Sequence, residues 1–226
     1  MKILLVADTE ERSLWDFWNE STAERLSDIG LILSAGDLHH SYLEFLVTML
    51  NVPLVYVRGN HDSCYDDEPP EGCEDADGKL IEVECGHGQK KQKMRILGLG
   101  GSMRYNDNAS DMYTEQEMTA CVRRAEKAVA RRRMLDILGG HYSQDMGPAF
   151  DILLTHAPCR GYGDMEDLPH RGFECFNDLL YKYSPRLHCY GHVHQQYGEA
   201  KRHLIHPSGT LLINCNGHYI IDFVKP

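Results

Sequence analysis

Five short stretches hold residues able to bind a metal: Asp8, Gly36-Asp37, Gly59-Asn60-His61-Asp62, His156 and Gly191-His192-Val193-His194. Their donors are carboxylates, an amide oxygen and imidazoles. Such a mixed set suits borderline ions such as Mn²⁺, Fe²⁺ or Zn²⁺, whereas an all-oxygen set would suit Mg²⁺ or Ca²⁺. Each stretch alone has a plainer reading. Gly-Asn-His-Asp forms turns readily, an aspartate after a strand caps a helix, and one histidine is more often a core or surface group. Gly-His-Val-His says more, because alternate residues leaving a strand need a bend to aim both imidazoles inward, and Gly191 supplies it. The plain readings do not produce all five in this order.

What unites the five is the element before each. Lys2–Ala7, Leu31–Ala35, Pro53–Val57, Asp151–Thr155 and Leu187–Tyr190 are apolar runs of strand length that end where the polar stretches begin. Ser21–Ile29, opened by a Ser/Thr cap, and Ser41–Leu50 read as helices, so the first sixty residues suggest βαβαβ and a parallel sheet. The C-terminal strand ends of such a sheet share one crevice. Residues 60–77 hold eight acidic residues and no Lys or Arg, which predicts an exposed acidic loop. Lys79–Cys85 and Met94–Leu99 read as a hairpin. Thr114–Leu138 is the longest helix, with Met118, Cys121, Val122, Ala125 and Val129 on one face. Gly172–Tyr183 reads as a further helix, and Thr210–Cys215 with Tyr219–Val224 as a hairpin around Asn216-Gly217.

With 226 residues, and 23 Lys+Arg against 34 Asp+Glu, the chain suits one domain over 1–226 with a net charge of −11. Its composition excludes collagen, coiled coil and wholesale disorder. The acidic balance argues against extended nucleic acid and anionic membrane as partners. The apolar run before Asp8 is too short for a secretion signal, and no run approaches the roughly 18 apolar residues of a membrane span, so the cytoplasm is the expected location. Eight cysteines with no Cys-x-x-Cys pair suggest buried free thiols.

In these stretches the chain resembles the calcineurin-like metallophosphoesterases of the small bacterial and phage type. The family signature runs Asp-x-His, Gly-Asp, Gly-Asn-His-Asp/Glu, His and Gly-His-x-His. Here it reads Asp8-Thr9-Glu10, Gly36-Asp37, Gly59-Asn60-His61-Asp62, Thr155-His156 and Gly191-His192-Val193-His194. The resemblance implies an α/β fold, a four-layer α/β/β/α sandwich with two mixed sheets, and two divalent ions, Mn²⁺ first, with Fe²⁺, Zn²⁺ or Ni²⁺ as alternatives. It implies Asp8 and His194 on one ion, Asn60, His156 and His192 on the other, and Asp37 on both. Two ions roughly 3.5–4 Å apart can clamp a phosphoryl group and make a bridging hydroxide available near neutral pH. His61 would protonate the leaving alkoxide, with Asp62 orienting its ring. The implied activity is hydrolysis of a small phosphodiester or phosphomonoester. The rival reading is a non-catalytic, protein-binding scaffold, which would be expected to have lost His61 or several ligands.

Glu10 departs from the signature, which has a histidine there. It either coordinates through oxygen or points away and leaves the first site weaker, and the two alternatives predict different metal stoichiometry. His170-Arg171, placed at a helix start, is a candidate phosphate-contacting pair, whereas His39 and His40 read as surface residues at the start of a helix. The Cys64–Asp77 and Asn106–Gly147 regions remain to shape a pocket.

Overall fold

Strand β1 (Lys2–Ala7) shows why the chain forms layers. Ile3, Leu5 and Ala7 enter one core and Leu4 and Val6 another, all fully buried. Successive strand side chains point to opposite faces, so a continuous apolar run needs cover on both. The computed structural model, which describes residues 1–88, 91–106, 110–139, 148–194 and 201–224, supplies helices on one side and a second sheet on the other.

After β1 the elements are α1 (Glu20–Leu26), β2 (Ile29–Ser34), α2 (His40–Leu50), β3 (Leu54–Tyr56), β4 (Glu74–Asp75), β5 (Leu80–Cys85), β6 (Gln92–Leu99), β7 (Ser102–Met103) and β8 (Met112–Tyr113). There follow α3 (Glu115–Leu138), β9 (Ile152–Thr155), α4 (Glu174–Tyr183), β10 (Leu187–Tyr190), β11 (His203–Ile205), β12 (Leu211–Asn214) and β13 (Gly217–Asp222). Sheet one has the order β13-β1-β2-β3-β4 and sheet two the order β11-β12-β10-β9-β6-β5, while β7 and β8 form a small pair. Both large sheets are mixed. β13 runs antiparallel to β1, and β5 and β11 run antiparallel to their neighbours, among otherwise parallel strands.

Between the sheets, Ile3, Leu5, Leu31, Leu33 and Val55 share a core with Met94, Ile96, Ile152, Leu154, Cys189 and Ile213. Leu26, Tyr42, Leu43 and Leu46 bring α1 and α2 onto the outer face of sheet one. Met118, Val122, Ala125 and Val129 of α3, with Phe176, Leu179 and Leu180 of α4, cover sheet two. The result is the α/β/β/α sandwich.

Several expectations are corrected. The five ligand-bearing strands do not lie in one parallel sheet: β1, β2 and β3 belong to sheet one, β9 and β10 to sheet two. Apolar runs buried on both faces fit either arrangement, and the β5–β6 hairpin edges the second sheet. Asn216-Gly217 is not a hairpin turn. β12 pairs with β10 and β11, β13 pairs with β1, and the chain crosses between sheets there. The Asn-Gly signal reports a left-handed backbone, and Gly217 has φ 71, but a crossover uses that conformation as well as a hairpin does. The acidic stretch is partly built in. Glu74–Asp75 pairs with β3 at the sheet edge, and Tyr65 and Ala76 are buried. α1 is capped by Asn19, whose Oδ1 accepts from Thr22 N at 3.1 Å, not by Ser21, and it stops early enough for Ile29 to begin β2. α4 starts at Glu174 rather than Gly172. Of the Asn106–Gly147 region, residues 107–109 and 140–147 lie outside the described residues. No helix among the described residues is long and apolar enough to cross a membrane.

His188 on β10 links burial to pH. It lies within the core beside Phe176 and Tyr190, with Nε2 2.8 Å from Thr155 Oγ1. Burial, aided by His206, pushes its pKa down to about 3 from 6.5. Below pH 6.5 the unfolded chain gains a proton that the folded chain refuses, so this stabilisation is present above 6.5 and lost as pH falls toward 3. His188→Gln should flatten that acid-side loss in urea melts of metal-free protein. An unchanged pH slope would contradict the assignment.

Candidate metal centre

At one end of the sandwich the exits of β1, β2 and β3 face those of β9 and β10. Neighbouring exits are tied by Asp8 N donating to Gly36 O at 3.1 Å and Gly191 N to His156 O at 2.9 Å. The bonds that cross between the sheets include His156 Nδ1 to Ala35 O at 2.7 Å and His192 N to Asp8 Oδ1 at 2.8 Å. The backbone is strained here: Asp8, Asp37 and His192 have φ of 62°, 57° and 66°. A left-handed conformation costs a non-glycine residue about 1–2 kcal/mol. Such conformations cluster at functional sites, and three of them meet here. Gly59 is required where two exits touch, since a Cβ there would sit 1.9 Å from Asp37 Oδ1.

Hydrogen bonding decides where the ring protons lie. His156 Nδ1 faces Ala35 O, and His192 Nε2 faces Pro169 O, each at 2.7 Å. A carbonyl only accepts, so each ring carries a proton on the nitrogen turned away from the cluster. In the neutral rings His156 Nε2 and His192 Nδ1, 3.1 Å apart, are then lone pairs. Asn60 Oδ1 lies 3.1 Å and Asp37 Oδ2 3.4 Å from His156 Nε2. Asn60 Nδ2 donates to Tyr105 Oη at 3.2 Å, which turns the amide oxygen toward the rings. Four acceptors therefore converge, and those of Asp37, His156 and His192 lie within 4.8 Å of one another.

The cluster attracts positive charge. Burial opposes protonation of His156, yet the Asp37 and Asp8 carboxylates outweigh it and hold the ring up at about 9. Burial and the adjacent His156 push His192 down to about 3. Burial also opposes ionisation of Asp37, but His156 and the His61 amide keep it below the usual carboxylate range, whereas burial shifts Asp8 upward. A carboxylate, an amide oxygen and two imidazoles with their lone pairs aimed together fit a divalent ion of the borderline class.

A cleft of about 420 Å³ opens over this cluster, lined by Asp8, Asp37, His61, Tyr105, Pro169, His170, His192 and His194. Asn60 and His156 are buried beside it. Glu10 is exposed and does not line this cleft, and its Oε1 accepts from His39 N at 3.1 Å near the start of α2. His39 caps α2, and His40 Nδ1 lies 3.3 Å from Glu44. Arg171 is not in the cleft lining, and its Nη2 donates to Glu166 O at 3.2 Å. His170 reaches the cleft without a helix N-terminus, its Nδ1 2.6 Å from Asp167 Oδ2.

Asp62 Oδ2 accepts from Asp37 N at 2.8 Å and Gly59 N at 2.7 Å, so the carboxylate clamps the β2 and β3 exits together. Burial pushes it up to about 6 against those two bonds, with Asp37 adding to the rise. Sequence reasoning also missed Tyr105, the carbonyls of Ala35 and Pro169, and Asn216, whose Nδ2 is 3.4 Å from Asp8 Oδ2. Asn216 follows β12 as the other site residues follow their strands, which was an available signal. Backbone carbonyls leave none.

The calcineurin-like phosphoesterase family model matches residues 1–196, and the chain belongs to that family. The family points to metal-dependent phosphoester hydrolysis and to the binding of divalent ions. The fold is shared with two solved structures at 14% identity. One has a TM-score of 0.56, covering 98% of this chain and 94% of the other. The second, TT1561 of Thermus thermophilus, has a TM-score of 0.53 over 96% and 89%. A curated relative, UPF0046 protein T07D4.2 of Caenorhabditis elegans, is 40% identical over 50 residues, which is 21% of this chain and 13% of that protein.

Two substitutions test these placements. Asp62→Ala strands two backbone amides and should cost about 2–4 kcal/mol in urea melts. Unchanged stability with an altered pH–rate profile would instead favour the ring-orienting role. Glu10→Ala should leave the bound-metal count of the wild type unchanged by elemental analysis, and loss of one ion would make Glu10 a ligand.

Proposed function

We propose that this protein hydrolyses a small phosphodiester with two divalent ions, Mn²⁺ being the first choice. The observation that carries the reading is the convergence of Asp37, Asn60, His156 and His192 acceptors beside a cleft that exposes His61. Those four residues would hold one ion, and Asp8 and His194, with Asp37 shared, the other. When bound, the ions would supply positive charge for phosphoryl oxygens and acidify water near neutral pH.

The chain's own residues do the rest. His61 N donates to Asp37 Oδ1 at 2.9 Å, which fixes its backbone beside the centre and leaves the exposed imidazole in the cleft to protonate the departing oxygen. Asp62 and Gly59 keep Asp37 in place. The described lining consists of carboxylates, imidazoles, a phenol and a proline. Cationic charge for the substrate would then come chiefly from the ions, which favours a singly charged diester over a doubly charged monoester. Cysteines that form no disulfide among the described residues suit the reducing cytoplasm as the site of action.

With Mn²⁺ restored after EDTA treatment, the wild type should cleave bis(4-nitrophenyl) phosphate faster than 4-nitrophenyl phosphate. His61→Ala should lower kcat by about 10²–10⁴ while still binding metal. A wild type that binds Mn²⁺ and cleaves neither ester would favour the scaffold reading, and a monoester preference would reverse the substrate choice.

A further inference from the structure

Tyr105, 40% exposed, stands in the cleft wall on the loop after β7. Its hydroxyl oxygen takes a hydrogen bond from Asn60 Nδ2 at 3.2 Å. An amide nitrogen only donates, so the phenol oxygen is the acceptor in that bond and its own hydrogen is left over. That hydrogen belongs to a group facing the same cleft as Asp37 and His61.

The loop that carries Tyr105 is held at its base. Gly101 N donates to Arg58 O at 2.8 Å, on the exit of β3, and Ala157 N donates to Gly101 O at 3.3 Å, on the exit of β9. Ser102 N and Arg104 N donate to Asp111 O and Tyr113 O, each at 3.0 Å, and Arg104 Nη2 donates to Met112 O at 3.1 Å. The two exits that present Asn60 and His156 thus also place the phenol. A donor fixed in advance loses little freedom when it meets developing charge.

We propose that Tyr105 is a substrate-contacting residue that donates its phenolic hydrogen to a non-bridging oxygen of the phosphoryl group, while its oxygen steadies Asn60. This rests on the phosphoesterase reading. Two functions of one hydroxyl predict separable effects. Losing the substrate contact weakens phosphate binding and turnover, whereas losing only the Asn60 bond weakens metal binding.

The test is Tyr105→Phe, which removes the hydroxyl and keeps the ring. The variant and the wild type are titrated with Mn²⁺ and then with inorganic phosphate by calorimetry, and kcat and KM are measured on bis(4-nitrophenyl) phosphate at saturating Mn²⁺. The expected result is weaker phosphate binding and a kcat/KM lower by roughly 10- to 100-fold, the worth of a hydrogen bond to a charged group, with both losses persisting when Mn²⁺ is saturating. Wild-type phosphate affinity and rate in the variant would overturn the proposal. So would a defect that saturating Mn²⁺ fully repairs, because Tyr105 would then act only through Asn60. A wild type that binds no Mn²⁺ brings down the phosphoesterase reading, and this contact with it, a result distinct from both.

Discussion

Four lone pairs aimed at one another are unstable company unless something positive sits among them. Asp37, Asn60, His156 and His192 are held in that arrangement by groups that have no choice of role: the Ala35 and Pro169 carbonyls can only accept, and the Asn60 amide nitrogen can only donate. In the protein alone, His156 meets the demand by holding a proton against the cost of burial. A divalent ion meets it more completely, which is why the donor set reads as a metal centre and not as a hydrogen-bonded core.

The sandwich exists to keep those groups there. Two sheets buried on both faces bring their strand exits to one end, and the exits are joined across the layers through His156 to Ala35 and His192 to Asp8. The left-handed conformations of Asp8, Asp37 and His192 are strain that a free loop would relax. Here the strain is over-determined by neighbours: Asp62 clamps the amides of Asp37 and Gly59, and the missing side chain of Gly59 lets Asp37 approach. Stability made in the cores is thereby converted into a fixed constellation of donors.

Much of this was legible in the residues because strands rich in Leu, Ile and Val end abruptly at Asp, Asn or His, and that change of texture is visible in one dimension. The helices were legible too, Thr114–Leu138 down to its cap, where Thr114 and Glu117 form a capping box. What was not legible depends on partners chosen in three dimensions. β12 and β13 carry apolar runs that either sheet could take, so the crossover at Asn216-Gly217 looked like a hairpin. Asp62 is next to His61 in sequence, but its carboxylate answers two buried amides. Tyr105 comes from a loop with no periodicity, and Glu10 sits in a ligand position of the signature while its carboxylate goes to the backbone of His39.

The claim that this centre is built around a cation is tested most directly by titrating EDTA-stripped wild-type protein with Mn²⁺ while following both binding heat and thermal midpoint. The account predicts saturable binding and a midpoint that climbs with Mn²⁺ concentration, because an ion held only by the folded state stabilises it by mass action. Flat heats with an unmoved midpoint would contradict it.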